Sequence, residues 1–445
     1  MRIKLMRQKK ELRQLSNEII GLIGIVVLLI LICSRVWIGA ALAIVGFFGL
    51  LIMSGSSQAF STLGTAPYMN IDNYTITAIP MFTLMGMVIA ETSIGKGLYE
   101  AAYRFLGRKN GGVASATVVA SGLMGAITGS DNVSCVIMSK LALPELKRFK
   151  YNDGLATASV AAGAPLAIII PPSMAFIMYG MLTEQSVGKL FMAGLIPGAI
   201  LVSVFVLAIS ISCNRNKTLG PKGDKFTLKE KMNALVGVLP TIILFLLVLG
   251  GIYFGICTTT EAGAIGALGA IIIAGVTKQL SAKKMYTILR ATVVAVGFVI
   301  FMIAGTFIFI KFITLSHVPL ALTELIIGME VNRFIVLLAV AIMYLVLGMI
   351  MPHIPMMILT VPLLFPAMTA LGFDPIWFGC FVVMMMALGA ISPPIGMDVF
   401  IVAGISKVPV LEIYKGMIPF LIADVAVIIL ICVFPQIVTF LPSLM

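Results

Sequence analysis

Apolar residues come in long runs along this chain, and polar ones are confined to the short gaps between them. The runs cover 18–34, 36–55, 76–92, 155–180, 189–212, 234–256, 261–278, 291–315, 374–404 and 411–435. A helix needs roughly 20 apolar residues to cross the hydrocarbon core of a bilayer, and most of these runs reach that length. Two further apolar stretches, 111–146 and 333–368, are interrupted at Gly129-Ser-Asp-Asn132 and at Met351-Pro-His-Ile-Pro355. Irregular backbone at membrane depth is tolerated only where protein or a water-filled cavity covers it, so each interruption predicts a helical hairpin that enters and leaves on one side. The pattern predicts an all-α polytopic membrane protein with about 10–11 transmembrane helices plus two re-entrant hairpins.

Composition supports the same class. Of 445 residues, 60% are apolar and 11% charged, against about 25% charged in a soluble globule. The net charge of +12 raises the possibility of nucleic acid. The basic residues, however, sit in short loops between apolar runs, as the positive-inside rule describes, and no aromatic-basic patch accompanies them. Loop 213–231 (Arg215 to Lys231), loop 278–290 (Lys278 to Arg290) and the flanks of the first broken stretch (Arg104, Arg108, Lys109, then Lys147, Arg148, Lys150) read as cytoplasmic. Loops 54–75 and 366–376 carry no Lys or Arg and read as external, so the two hairpins open to opposite sides. On this register the basic tail 1–17 falls outside, unless residues 18–55 do not cross twice or the tail lies along a surface. The tail lacks a small-residue cleavage site, which predicts no cleavable signal peptide. The six cysteines form no CxxC and read as buried small hydrophobes.

The chain also repeats itself. Pro171-Pro172 and Pro393-Pro394 lie 222 residues apart, and the same offset lays Gly194-Leu-Ile-Pro197 on Gly416-Met-Ile-Pro419 and Leu141-Ala-Leu-Pro144 on Leu363-Leu-Phe-Pro366. The predicted organisation is a basic tail 1–17, a first repeat 18–212 (hairpin 111–146, broken helix 155–180), a cytoplasmic loop 213–231, a second repeat 232–435 (hairpin 333–368, broken helix 374–404) and a tail 436–445. The loop charges make the repeats inverted. Inverted repeats with paired interrupted helices point to a secondary transporter; the bland alternative is a duplication whose prolines only kink helices. Segments 93–110 and 317–332 also correspond. The first mixes Lys96, Glu100 and Arg104 with Leu98, Tyr103 and Phe105, which suits an arm along the membrane surface or a simple connector.

A broken helix exposes N–H groups at one half and carbonyls at the other. N–H groups suit a carboxylate, and carbonyls with hydroxyls suit a small hard cation such as Na⁺. Four breaks offer these groups: Thr128, Gly129, Ser130, Asp131 and Asn132; Pro171 and Ser173; Met351 and His353; Ser392, Pro393 and Gly396. They predict two cation sites, each pairing a hairpin tip with the broken helix of its own repeat. Asp131 reads as a cation ligand or proton acceptor, because a carboxylate at membrane depth is costly unless paired; it also reads as a cap of the second hairpin arm. Asn132 has the same two readings. His353 is a proton site, a substrate donor or a plain turn residue. Thr128, Ser130, Ser173, Ser392 and Asp398 are the candidate substrate contacts. Glu261 starts a helix after Thr258 and suits a first-turn carboxylate.

At these residues the chain resembles the large membrane subunit of the tripartite ATP-independent periplasmic (TRAP) transporters. The resemblance runs from Ile79 to the C-terminus. It is carried by Ile79-Pro-Met-Phe-Thr-Leu-Met-Gly86, Gly125-Ala-Ile-Thr-Gly-Ser130, Leu143-Pro-Glu-Leu-Lys-Arg148, Ile170-Pro-Pro-Ser173 with Tyr179-Gly180, Leu190 to Gly198, Thr260-Glu-Ala262 and Ser392-Pro-Pro-Ile-Gly396. It implies an ion-transporter-superfamily fold with an elevator core and a scaffold. It also implies a small four-helix membrane subunit, a periplasmic substrate-binding protein, a Na⁺ gradient as driving force, and organic acids such as C4-dicarboxylates or sialic acids as cargo. The expected location is the bacterial inner membrane. By position, Thr128, Ser130 and Ser173 match the family's hydroxyls at the first hairpin and break, and Ser392 and Gly396 match the second break. The chain departs from the pattern where the family usually has a small or hydroxyl residue (Asp131), an Asp near Pro352-His353 (absent), an acid near Ala387, and Asn (Asp398).

Two other readings fit the same sequence. One is a stand-alone Na⁺- or H⁺-coupled dicarboxylate carrier, separated from the first by whether a binding protein is required. The other is a membrane-embedded enzyme, which the chain disfavours: it has two histidines, His317 and His353, no HExxH and no acidic cluster for Mg²⁺. No Walker motif is present to drive an ATP pump.

Overall fold

The computed structural model describes the chain except Met1, Arg35, Ser93 and Glu330, and the side chains of residues 2–16, Cys33, Asn70 and Ile94. Among the described residues there is helix and no strand. In chain order the helices are α1 Arg2–Cys33, α2 Ile38–Ser54, α3 Ser56–Ile71, α4 Ala78–Ala90, α5 Ile94–Leu106, α6 Gly112–Thr128 and α7 Asp131–Arg148. Then come α8 Asp153–Gly163, α9 Leu166–Ile169, α10 Met174–Thr183, α11 Val187–Arg215, α12 Leu228–Tyr253, α13 Thr259–Val276 and α14 Ala282–Leu315. The last are α15 Val318–Gly328, α16 Arg333–Ile350, α17 His353–Ala370, α18 Pro375–Ile391, α19 Met397–Ser406, α20 Val410–Val433 and α21 Gln436–Ser443. Eight spans among the described residues are long and apolar enough to cross a bilayer, and α2, α6 and α18 are shorter apolar helices of 17 residues.

Three segments differ from the sequence reading. The expected external loop 54–75 contains α3, whose mixed Ser, Gln and Thr composition hides a helix from a search for apolar runs. The tail 436–445 contains α21. The tail 1–17 is helical backbone continuous with the first apolar run, as part of α1, and its basic side chains from Arg2 to Arg13 lie outside the described residues.

Helix ends recur at the 222-residue offset. α6 and α16 end at Thr128 and Ile350, α7 and α17 run Asp131–Arg148 and His353–Ala370, and α8 and α18 start at Asp153 and Pro375. The peptide bonds Pro171-Pro172 and Pro393-Pro394 are both cis. The compact units do not follow the repeats. One unit comprises 1–76, 293–338 and 358–374, the other 77–292, 339–357 and 375–445.

In the first unit, glycines bring helices together. Gly39 and Gly46 of α2 lie against the α14 backbone, where an added Cβ would meet Phe301 O at 2.9 Å and Phe309 N at 2.8 Å. Small residues at such crossings let helix backbones approach closely where lipid supplies no hydrophobic drive between helices.

In the second unit, α4 packs on α13, α5 on α6 and α12, and α20 on α8 and α11. Phe205 and Phe420 meet edge to face at 5.3 Å, and Trp377 donates to Ile431 O at 3.0 Å. α12 and α13 each open on a capping box, Thr227 with Glu230 and Thr258 with Glu261. Glu261 is thus the first-turn carboxylate of α13, accepting from Thr258 N at 2.7 Å.

The basic loop is shorter than the 213–231 expected from the sequence. Only 216–227 lies between helices, and it is pinned to the base of the first hairpin. Gly111 N donates to Gly220 O at 2.8 Å, and Tyr151 Oη donates to Pro221 O at 2.9 Å while accepting from Val113 N at 3.1 Å. Tyr103 Oη donates to Asp224 Oδ2 at 3.0 Å, and burial pushes its phenol up to about 12. Tyr151→Phe leaves the buried Val113 N–H and the half-buried Pro221 carbonyl without this partner, a cost of about 1–3 kcal/mol. The expected result is faster tryptic cleavage at Lys222 and Lys225; an unchanged cleavage rate would mean that Tyr151 does not hold this loop.

Candidate functional site

The first hairpin turns at Gly129 and Ser130. Gly129 has φ +61° and closes α6 by donating to Gly125 O at 2.8 Å. A side chain there would be strained, and its Cβ would meet Pro172 O at 2.9 Å. Gly129 O accepts from Met174 N at 3.4 Å, which ties this tip to the first broken helix. The second hairpin turns at Met351 and Pro352, and His353 opens α17. His353 Nε2 lies 3.2 Å from Met386 O on α18, which ties that tip to the second broken helix. Each tip therefore touches the broken helix of its own repeat, the first through backbone and the second through the His353 imidazole.

The charged side chains cross between repeats. Asp131 Oδ2 lies 3.0 Å from His353 Nδ1, and both residues are 6% exposed. The two positions are related by the 222-residue offset, so each second hairpin arm begins with one member of the pair. Chemistry fixes the proton count. A carbonyl only accepts, so Nε2 carries a hydrogen toward Met386 O. A bare Nδ1 and a bare carboxylate oxygen would repel at 3.0 Å, so the pair holds one proton there, although Oδ2 has no hydrogen bond of regular geometry among the described residues. The pair is then either carboxylate with imidazolium or carboxylic acid with neutral imidazole. Both forms have zero net charge, which suits a buried position.

Asp398 is the third member of the cluster. It sits in the first turn of α19, 0% exposed, and neither carboxylate oxygen has a hydrogen-bond partner among the described residues. Its backbone oxygen accepts from Cys135 Sγ of α7, one turn beyond Asp131, at 3.7 Å. Gly396, φ +40°, leads into this turn, and a Cβ there would meet Ser392 O at 2.9 Å. A carboxylate buried without a donor calls for a cation or a proton beside it.

The other predicted residues sort differently. Ser130 is the N-cap of α7 without a side-chain bond, so Asp131 enters the helix as its first residue and turns its Oδ2 to His353. Asn132 is exposed and lines a cavity, away from the Asp131 pair. The hydroxyls of Ser173 and Ser392 donate to carbonyls of their own repeat's broken helix, Ile168 O at 2.5 Å and Leu388 O at 2.7 Å. Thr128 Oγ1 donates to Ser130 O at 3.3 Å. These three hydroxyls already have acceptors in this geometry, where the sequence suggested free ligands. Pro171 to Ser173 are buried whereas Pro393 to Ile395 are exposed, so the two Pro-Pro breaks differ in setting. Met351 is buried.

Asp424 was missed by the sequence reading. It is 1% exposed in α20, and its Oδ1 has no partner among the described residues. The signal in the sequence is an acid in the middle of the apolar run 411–435, well beyond Glu412 and Lys415 at its start.

Buried ionisable groups gathered at the breaks of apolar helices define a membrane carrier of the secondary-transporter type. A family model described as "Tripartite ATP-independent periplasmic transporter, DctM component" matches residues 25–437, and the chain belongs to that family. It is 28% identical to the C4-dicarboxylate TRAP transporter large permease protein DctM of Vibrio cholerae, over 95% of this chain and 98% of that one. It is also 28% identical to the sialic acid TRAP transporter large permease protein SiaM of the same species, over 84% and 87%. The YdaH transporter of Alcanivorax borkumensis shares its fold, with a TM-score of 0.55 at 14% identity over 87% of this chain and 90% of that one. The chain is thus a multi-pass transporter permease and not an enzyme.

Proposed function

We propose that this chain is the carrier subunit that imports an organic acid across the bacterial inner membrane. The acid is a C4-dicarboxylate or a sialic-acid-like carboxylate, delivered by a periplasmic binding protein. A small four-helix subunit accompanies the chain, an inward Na⁺ gradient drives it, and the substrate-holding core moves as an elevator. The observation that carries the coupling part is the buried cluster of Asp131, His353 and Asp398 at the helix breaks. Asp398 fits a Na⁺ ion best, since it brings two unpartnered oxygens. The relatives' names support an acid cargo by analogy.

The Asp131–His353 contact favours a second reading of the coupling. A pair that holds one proton at 3.0 Å serves as a proton site in place of one Na⁺. The two are separated by uptake of labelled acid into proteoliposomes containing this chain, its small subunit and its binding protein. With Na⁺ and pH gradients imposed separately, the expected result is uptake that requires the Na⁺ gradient and the binding protein. Uptake that follows the pH gradient alone would assign the coupling to the proton pair. Uptake without the binding protein would make the chain a stand-alone carrier.

A further inference from the structure

Beside the hairpin tip lies a cavity of about 620 Å³, within the range of small-molecule sites. The walls come from the end of α4, the start of α5, Met124 of α6 and one face of α7. Asn132 marks the end at the tip, next to Asp131, and Lys140 lies two turns further along α7. Between them, Val133, Val136 and Ile137 form an apolar wall. Lys96 of α5 and Glu91 also face the space, so its charged lining is two cations and one anion. Lys96 and Lys140 are exposed, and neither has an ion pair or hydrogen-bonded side chain among the described residues. Two unpaired lysines against one carboxylate, around a space of ligand size that reaches Asn132 at the hairpin tip, leave a net positive charge for whatever enters it.

We infer that this cavity is an inner-side holding site for the anionic cargo, with Lys96 and Lys140 as its carboxylate anchors. The inference rests on the carrier reading above. By its loop charges, the Lys140 end of α7 runs toward the cytoplasmic Lys147 and Arg148. A cargo released from the tip passes Asn132, lies along the apolar wall and meets the two ammonium groups before leaving. The pair therefore sets affinity from the cytoplasmic side and favours acids with a carboxylate distant from their first.

The test is counterflow in proteoliposomes holding this chain with its small subunit. The vesicles contain unlabelled C4-dicarboxylate or sialic acid at graded concentrations, and the internal concentration giving half-maximal exchange is read. The double variant Lys96→Gln/Lys140→Gln is expected to raise it about tenfold, the scale of lost charge-assisted hydrogen bonds. Lys96→Arg/Lys140→Arg is expected to restore it, because the charge is kept. An unchanged value in the Gln variant, with an active wild type, overturns the inference alone. A wild type that exchanges neither acid overturns the carrier reading for these cargoes, and the inference with it. A difference between wild type and variant seen only in vesicles rich in anionic lipid would assign the lysines to a lipid headgroup and also overturn it.

Discussion

Asp131→Asn is expected to reduce gradient-driven uptake about 100-fold or more while leaving the fold nearly as stable as before. The side chain of an asparagine matches aspartate in size and can donate its amide hydrogen to His353 Nδ1, so the 3.0 Å contact survives with neutral imidazole. What it cannot do is exchange a proton or present a negative charge. Asp131→Ala removes the partner altogether. Truncating one member of a buried pair costs about 3–5 kcal/mol, so that variant is expected to unfold at a clearly lower temperature as well as to fail in transport. His353→Ala is expected to behave in the same way, and the double Ala variant to cost less than the sum of the two, because each single change strands the other group. Thermal unfolding in detergent and uptake in proteoliposomes separate the two effects. If Asp131→Asn takes up acid at the wild-type rate under both Na⁺ and pH gradients, Asp131 has no part in coupling and the pair is only a staple between hairpins.

The helix breaks were legible because apolar runs at membrane depth have few reasons to be interrupted. Gly129 with Ser130, and the Pro-Pro pairs with their flanking Ser and Gly, mark the breaks by backbone rules alone. Asp131, His353 and Asp398 also stood out singly, as ionisable residues in or beside those breaks. Their grouping did not. Pairing Asp131 with His353 needs contact between positions 222 residues apart, and no local pattern encodes that. Both hairpins were expected to build cation sites with their own broken helices. The first tip makes its own-repeat contact through backbone and the second through His353 Nε2, while His353 Nδ1 and Asp131 meet across the repeats. The hydroxyls of Ser173 and Ser392 looked free in the sequence because a serine's local back-bond to a helix carbonyl is invisible until the helix is built. Helix α3 escaped for a different reason, since a polar helix with exposed faces carries no hydrophobic periodicity.

Gly389→Leu is expected to unseat the second hairpin and abolish uptake. Gly348 of α16 and Gly389 of α18 touch through backbone: a Cβ added at 389 meets Gly348 Cα at 2.7 Å, and one added at 348 meets Gly389 Cα at 2.9 Å. No flexible side chain stands in the way that could swing aside, so one helix axis must move. The contact lies one turn from Met386, whose carbonyl holds His353, so a shift here reaches the coupling pair through the hairpin tip. The first repeat has a comparable close approach, where a Cβ on Gly125 would meet Ala167 Cα at 2.5 Å, and Ala167 is the position that the 222-residue offset lays on Gly389. Overpacking of this kind costs about 1–3 kcal/mol when neighbours can adjust, and a rigid backbone contact belongs at the upper end. Gly389→Ala is therefore expected to lower the unfolding temperature by several degrees and Gly389→Leu by more. Gly250→Ala, on α12 with open space around the added methyl, is expected to be silent or slightly stabilising, because alanine is the better helix former. Equal unfolding temperatures for Gly389→Ala and Gly250→Ala would show that the second hairpin does not depend on this crossing. A Gly389→Leu variant that unfolds early yet still transports would show that the seat of the hairpin matters to the fold and not to the carrier cycle.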